Sequence, residues 1–350
     1  MSHQFSMGSN VIKPIRNTYK YMSGLKVKRP TTYDEATYNL EPKENFHYRP
    51  IWNPEMNIFD ERLTKVRLED WEQFRDPAKL YYATYCYSRA DLQTKIKGQF
   101  EAADRYGWFK NMDPAFVNTI SELFPVLRHL IFGESVAFMY IGRAAVGTAI
   151  EQCATYQCYD ELGTAQLLTR ICLELEEQNP TILQDGKQTW MEDKKYQKLR
   201  ALTERLMVTW DWAEAMVATN LVLDLILYPL FFEEMTALAS KKGVMGYMAF
   251  SQFFMEMAEY EKNYTYELVK MLLADRPENK EILQSYINKW LPEVIEAITP
   301  TLAIFDLDGT GINGQDALNR VLDKHVKPVL VDGLQLLPEL KIEQTGVEVK

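Results

Sequence analysis

From about Asp60 to Ile298 apolar residues recur at helical spacing, and between Leu80 and Ile298 no stretch alternates apolar and polar positions as a half-buried strand would. The segments are long and their connections short, which predicts a bundle and not a layered sheet. Asp76-Pro77 reads as an N-cap with proline at the first helical position, so a helix is expected from there to Gly107. Asp113-Pro114 repeats the device and opens a helical stretch towards Asn179, with breaks available at Gly133, Gly142 or Gly147 and a stop at Pro180. After a polar connection with Asp185 and Gly186, a helical pattern covers about Gln188 to Tyr228 and meets Pro229; a short helix then runs to Lys242-Gly243. Two further helices are expected, over Val244 to Ala274 and from Pro277 to about Ile298. Thirty helical residues span roughly 45 Å.

Outside this block the pattern changes. Residues 1–58 carry Pro14, Pro30, Pro42, Pro50 and Pro54 among many tyrosines, which favours an extended N-terminal arm. Its Tyr33, Tyr38, Phe46, Tyr48, Ile51, Trp52 and Met56 are too apolar for a disordered tail, so the arm is expected to lie on its own domain or on a partner. Residues 59–300 form the bundle, and residues 301–350 a turn, a short helix near Asp316 to Lys324 and a tail.

Composition narrows the class. The 350 residues are 47% hydrophobic and 25% charged, ordinary globular usage. A net charge of -10 offers no basic surface to displace counterions from phosphates, so no nucleic-acid partner is expected. The most apolar run, Ala215 to Phe232, contains Asn220 and Asp224 and reads as a buried helix; no membrane partner is expected. Cys86, Cys153, Cys158 and Cys172 lack paired C-x-x-C spacing, so free buried thiols in a reducing cytoplasm are expected, and MSHQFSMGSN does not read as a secretory signal.

A long-helix bundle raises the question of metal. Di-iron carboxylate bundles use a Glu from each of two helices and Glu-x-x-His from each of two others. Only His3, His47, His129 and His325 are present, and His129 alone lies in the bundle, with Val126 at i-3. Glu44-Asn45-Phe46-His47 matches the spacing but sits between Pro42 and Pro50. Glu161 is followed at i+3 by Thr164 and Glu259 by Lys262, where an ammonium would take the cation's place as a structural ion pair. No residue is therefore expected to ligate a metal, bind a cofactor or act catalytically.

EATYNLEPKENFHYRPIWNPE (Glu35 to Glu55), WEQFRDPAKLYYATY (Trp71 to Tyr85), LRHLIFGE (Leu127 to Glu134) and NLVLDLILYPL (Asn220 to Leu230) resemble the beta subunits of bacterial multicomponent monooxygenases, nearest to the phenol hydroxylases and further from those of toluene, propane and methane. The resemblance implies an all-α, ferritin-like fold of the ribonucleotide-reductase small-subunit kind. It implies that YDELGTAQ (Tyr159 to Gln166) and MAEYEKN (Met257 to Asn263) stand where the alpha subunit carries its Glu-x-x-His pairs. It further implies a non-catalytic scaffold in an alpha-beta-gamma hydroxylase, doubled to a hetero-hexamer, with the di-iron centre in alpha. A regulatory protein and a reductase carrying FAD and [2Fe-2S] and fed by NADH would complete a system that turns phenol into catechol with O2. A beta subunit of a toluene or alkane system is the alternative, and an autonomous di-metal oxidase the remote one.

Two other readings attach to Asp306-Leu307-Asp308-Gly309-Thr310. It matches the nucleophile motif of haloacid-dehalogenase-like phosphatases, yet too little chain follows for the required sheet. Asp306, Asp308, Thr310 and Gly311 also fit positions of a calcium loop, but the twelfth is Ala317 instead of a bidentate Glu. A Gly/Asp turn into the C-terminal helix is the expectation, with weak Ca²⁺ binding left open.

Overall fold

The computed structural model describes residues 22–27, 29–42, 49, 51, 53–244, 246–343 and 346–349; His3 and His47 lie outside them. Ten helices organise the described chain: α1 (Thr32–Thr37), α2 (Tyr82–Tyr106), α3 (Pro114–Ala144), α4 (Thr148–Glu174), α5 (Ile182–Glu192), α6 (Gln197–Met207), α7 (Trp212–Lys241), α8 (Gly246–Asp275), α9 (Glu278–Ile298) and α10, which starts at Gly314. A two-stranded antiparallel hairpin, β1 (Leu340–Glu343) with β2 (Gly346–Val349), closes the described chain and pairs Leu340 with Val349. The all-α bundle matches the expectation; the hairpin was not anticipated, and it lies in the stretch expected to be a tail.

α3 and α4 form the most extensive helix pair, and α7 runs through the middle against α3, α8 and α9. The apolar windows of α3 and α7 are long enough to cross a membrane, but 67% and 100% of those windows is buried inside the bundle. One contiguous core joins residues from Val66 to Leu340. Burial on this scale, at about 25 cal/mol per Å² of apolar surface, is what holds such helices together.

Several element ends differ from the pattern reading, each for a local reason. Asp76 does accept N–H bonds, from Ala78 and Leu80 at 2.9 and 2.8 Å, but Lys79 takes φ 51° and turns the chain, so α2 begins only at Tyr82. Asp113 caps α3 as expected, accepting from Ala115 and Phe116. The α3–α4 break falls at Gly147, whose φ of 95° no other residue type adopts cheaply. The stretch read as one helix from Gln188 to Tyr228 is interrupted twice. Asp193 accepts the Lys195 N–H in a turn, and Asp211 caps a fresh helix at Ala213 and Glu214. Pro229 does not end α7: π turns at Thr219–Leu223 and Pro229–Glu234 widen the helix, so it passes the residue without an N–H. Within the arm, Thr31 and Asp34 form a capping box that starts α1, a helix the proline spacing concealed.

Candidate functional site: four carboxylates in the bundle core

Helix α8 buries Phe254, Met257, Glu261, Tyr264, Thr265 and Leu268, a three-four spacing that defines one face. Glu261 therefore points inward, and Glu259 and Lys262 lie on the other side. Lys262 donates to Glu259 at the surface, where the Glu259 side chain is 59% exposed. The ion pair forms as expected but not at the centre: Glu261, followed at i+3 by Tyr264, holds the inner position.

Three other helices supply matching residues. Glu134 comes from α3, Glu161 from α4 and Asp224 from α7, each at most 4% exposed. One carboxylate oxygen from each of Glu161, Asp224 and Glu261 lies within 4.8 Å of the others. Glu134 reaches hydrogen-bonding range of Asp224. The π turn Thr219–Leu223 ends directly before Asp224 and sets its angular position on α7.

Glu161 is held in place. Tyr228 Oη donates to one of its oxygens at 3.1 Å and Gln157 Nε2 to the other at 3.1 Å. Gln157 and Asn220 exchange two amide bonds of 2.8 Å, and Asn220 Nδ2 also lies 2.8 Å from Thr265 Oγ1. Tyr264 Oη donates to Gln157, so the hydroxyl at the i+3 position is engaged in this network. By contrast, both oxygens of Glu261 are buried without a hydrogen-bond partner, and those of Glu134 and Asp224 meet only each other.

Burial raises all four acids, Glu161 to about 8 and the others well above their ordinary range, and mutual repulsion adds to it. Three other buried acids are neutralised by cations: Asp160 by Arg89 at 2.7 Å, Glu214 by Lys289 at 2.6 Å, Asp34 by Arg75 at 3.2 Å. Among the described residues no such ion pair reaches the central four.

The donor set does not fit the two irons of a carboxylate bundle, which need two imidazoles. Thr164 stands at i+3 from Glu161 as expected, and Tyr264 at i+3 from Glu261. His129 is outside the cluster, stacked on Trp190 at 6.1 Å and lowered to about 4 by burial and the charges of Arg128 and Lys187. His325 pairs with Glu233 at 3.2 Å. The four cysteines are free thiols.

The Asp306 loop follows a 3₁₀ helix, Thr299–Phe305, and not the strand a phosphatase nucleophile needs. Asp306 accepts the Gly314 N–H at 3.2 Å, Gly309 and Gly311 take positive φ, and Ala317 is buried in α10. It is a turn into the last helix.

Sequence reasoning found Glu161 and Thr164 but took Glu259 for Glu261. Glu134 and Asp224 were legible as acids within the apolar runs LRHLIFGE and NLVLDLILYPL, and the three-four phase of α8 would have selected Glu261.

Known proteins share this architecture. Residues 50–276 match the family model described as methane/phenol/alkene hydroxylase. The chain is 28% identical over 309 residues to the phenol 2-monooxygenase oxygenase component DmpL of Pseudomonas sp. strain CF600, covering 88% of this chain and 92% of that one. It is 24% identical over 310 residues to the hydroxylase component subunit beta of the toluene-4-monooxygenase system of Ectopseudomonas mendocina, covering 85% and 92%. Among solved structures, a chain of xenon-pressurized phenol hydroxylase from Pseudomonas sp. OX1 superimposes with a TM-score of 0.80 at 29% identity, over 90% of this chain and 94% of that one.

Proposed function

The chain belongs to the methane/phenol/alkene hydroxylase family, and we propose that within it the chain is the non-catalytic beta subunit of a phenol-hydroxylase-type monooxygenase. Its role is to buttress a paralogous alpha subunit that holds the di-iron centre, with a gamma subunit completing a doubled hydroxylase. A regulatory protein and an NADH-fed reductase carrying FAD and [2Fe-2S] serve that assembly, and phenol is converted to catechol in the partner. The observation that carries this reading is the composition of the central cluster: Glu161 and Glu261 have Thr164 and Tyr264 where each would need an imidazole. Without nitrogen donors the centre lacks the ligand set on which the family's oxygen chemistry depends.

Surface chemistry supports a subunit role. Phe132 and Met139 on α3, and Tyr159 and Leu173 on α4, are 53%, 61%, 57% and 48% exposed. Apolar side chains at this density on one helical hairpin suit an obligate interface, which buries roughly 2,000 Å² or more. Tagged chain expressed with the products of neighbouring genes is expected to bring down a larger helical subunit in equal amount. Recovery as a lone monomer that hydroxylates phenol unaided would overturn the proposal.

A further inference from the structure

Both oxygens of Glu261 are buried without a hydrogen-bond partner and those of Glu134 and Asp224 meet only each other, while both oxygens of Glu161 are oriented by Tyr228 and Gln157. Buried acids without a cation are costly, and four from four different helices can be relieved in two ways: they hold or share protons, or a cation sits among them. Three features favour the cation. The oxygens of Glu161, Asp224 and Glu261 lie within 4.8 Å of one another, the span across a single ion with metal–oxygen distances of about 2.1–2.4 Å. Glu261, 1% exposed, has no other partner for either oxygen, and Glu134, also 1% exposed, reaches Asp224 from a fourth helix. Glu161 carries the outer hydrogen bonds that normally orient a metal-binding group.

The geometry points to a binding site for one hard divalent cation, of the Mn²⁺, Mg²⁺ or Ca²⁺ class, ligated by Glu161, Asp224 and Glu261 with Glu134 as a fourth donor. An all-oxygen set suits hard ions of this class and offers none of the imidazole or thiolate ligands that zinc and copper sites use. A narrow surface pocket lined by Asn220, Asp224, Met255 and His325 brings solvent up to Asp224, the one of the four acids that borders it. The bound ion ties α3, α4, α7 and α8 together at the point where they would otherwise repel, so it serves stability and not turnover. The proposal departs from the metal-free centre expected from the sequence and leaves the scaffold reading intact, because it requires no redox step.

The test is binding to the full-length chain purified without partner subunits. After EDTA treatment and dialysis, Mn²⁺ titration followed by the electron paramagnetic resonance of the free ion should show one ion taken up per chain. The melting temperature should rise by about 4 °C relative to the EDTA sample. Glu261→Gln and Asp224→Asn should each weaken uptake at least about tenfold, as loss of one charged ligand implies, and Glu267→Gln, at a surface acid of the same helix paired with Lys270, should leave it unchanged. If wild-type chain takes up no Mn²⁺, Mg²⁺ or Ca²⁺ at millimolar concentration and melts as it does in EDTA, protons alone neutralise the cluster and the site does not exist. The wild-type measurement decides the matter even if a variant fails to fold.

Discussion

Glu259 and Glu261 occupy opposite sides of one helix: the former is paired with Lys262 in solvent, the latter is 1% exposed and within 4.8 Å of Glu161 and Asp224. Two residues turn an α-helix through about 200°, so the side facing the core is fixed by the apolar residues around it. Two acids of the same kind thus meet opposite electrostatic fates.

Lys262→Met is therefore expected to be nearly silent. The Glu259 end of the pair it removes is open to solvent, and the pair is worth about 0.5 kcal/mol. Urea unfolding should place the variant within that distance of wild type; a much larger loss would mean that the lysine neutralises the interior.

Asp160→Asn should behave differently. Asp160 accepts from Arg89 Nε at 2.7 Å and from Tyr85 Oη at 2.9 Å, joining α4 to α2, and its side chain is 3% exposed. The substitution leaves a guanidinium facing a neutral amide, at a cost of about 3 kcal/mol. Denaturant midpoints should show it, and Arg89→Ala combined with Asp160→Asn should recover part of the loss.

Gly147→Ala probes the hinge between the two longest-packed helices. At φ 95° a side chain is strained, and its Cβ would lie 2.8 Å from the Trp71 carbonyl oxygen. A loss of about 2–3 kcal/mol is expected from strain and displacement together. A variant as stable as wild type would show that the α3–α4 link is free to rearrange.

The start of α4 carries a pH dependence. Burial, with Glu41 and Glu72 nearby, raises Glu151 to about 7. The folded chain then holds a proton that the unfolded chain releases near the ordinary value of about 4.3. Its contribution is present in acid and is lost as pH rises through about 7. Glu151→Gln should shrink the fall in melting temperature between about pH 5 and pH 8; an unchanged fall would assign it elsewhere.

How much of this could be read from the chain follows from what each feature depends on. Long helices and the Asp113 cap were legible because period and capping are local. The start of α2 was not, because it turns on Lys79 adopting φ 51°, which Asp76-Pro77 does not announce. Nor was the continuity of α7 through Pro229, since a π turn is set by packing on both sides of the helix. At the centre, the histidine shortage was a count and needed no coordinates. The four acids form a group only when α3, α4, α7 and α8 are brought together, and a search for Glu-x-x-His cannot find a cluster that lacks its histidines.

On the proposed function, the four core carboxylates stand without imidazoles and the chain performs no oxygen chemistry itself. The most direct measurement supplies full-length chain, purified free of partner subunits, with ferrous iron, a reductant, O2 and phenol, and follows oxygen uptake and catechol. No oxygen consumption above the protein-free control and no catechol are expected. Catechol formed in proportion to the chain, with turnover beyond one per molecule, would contradict the account.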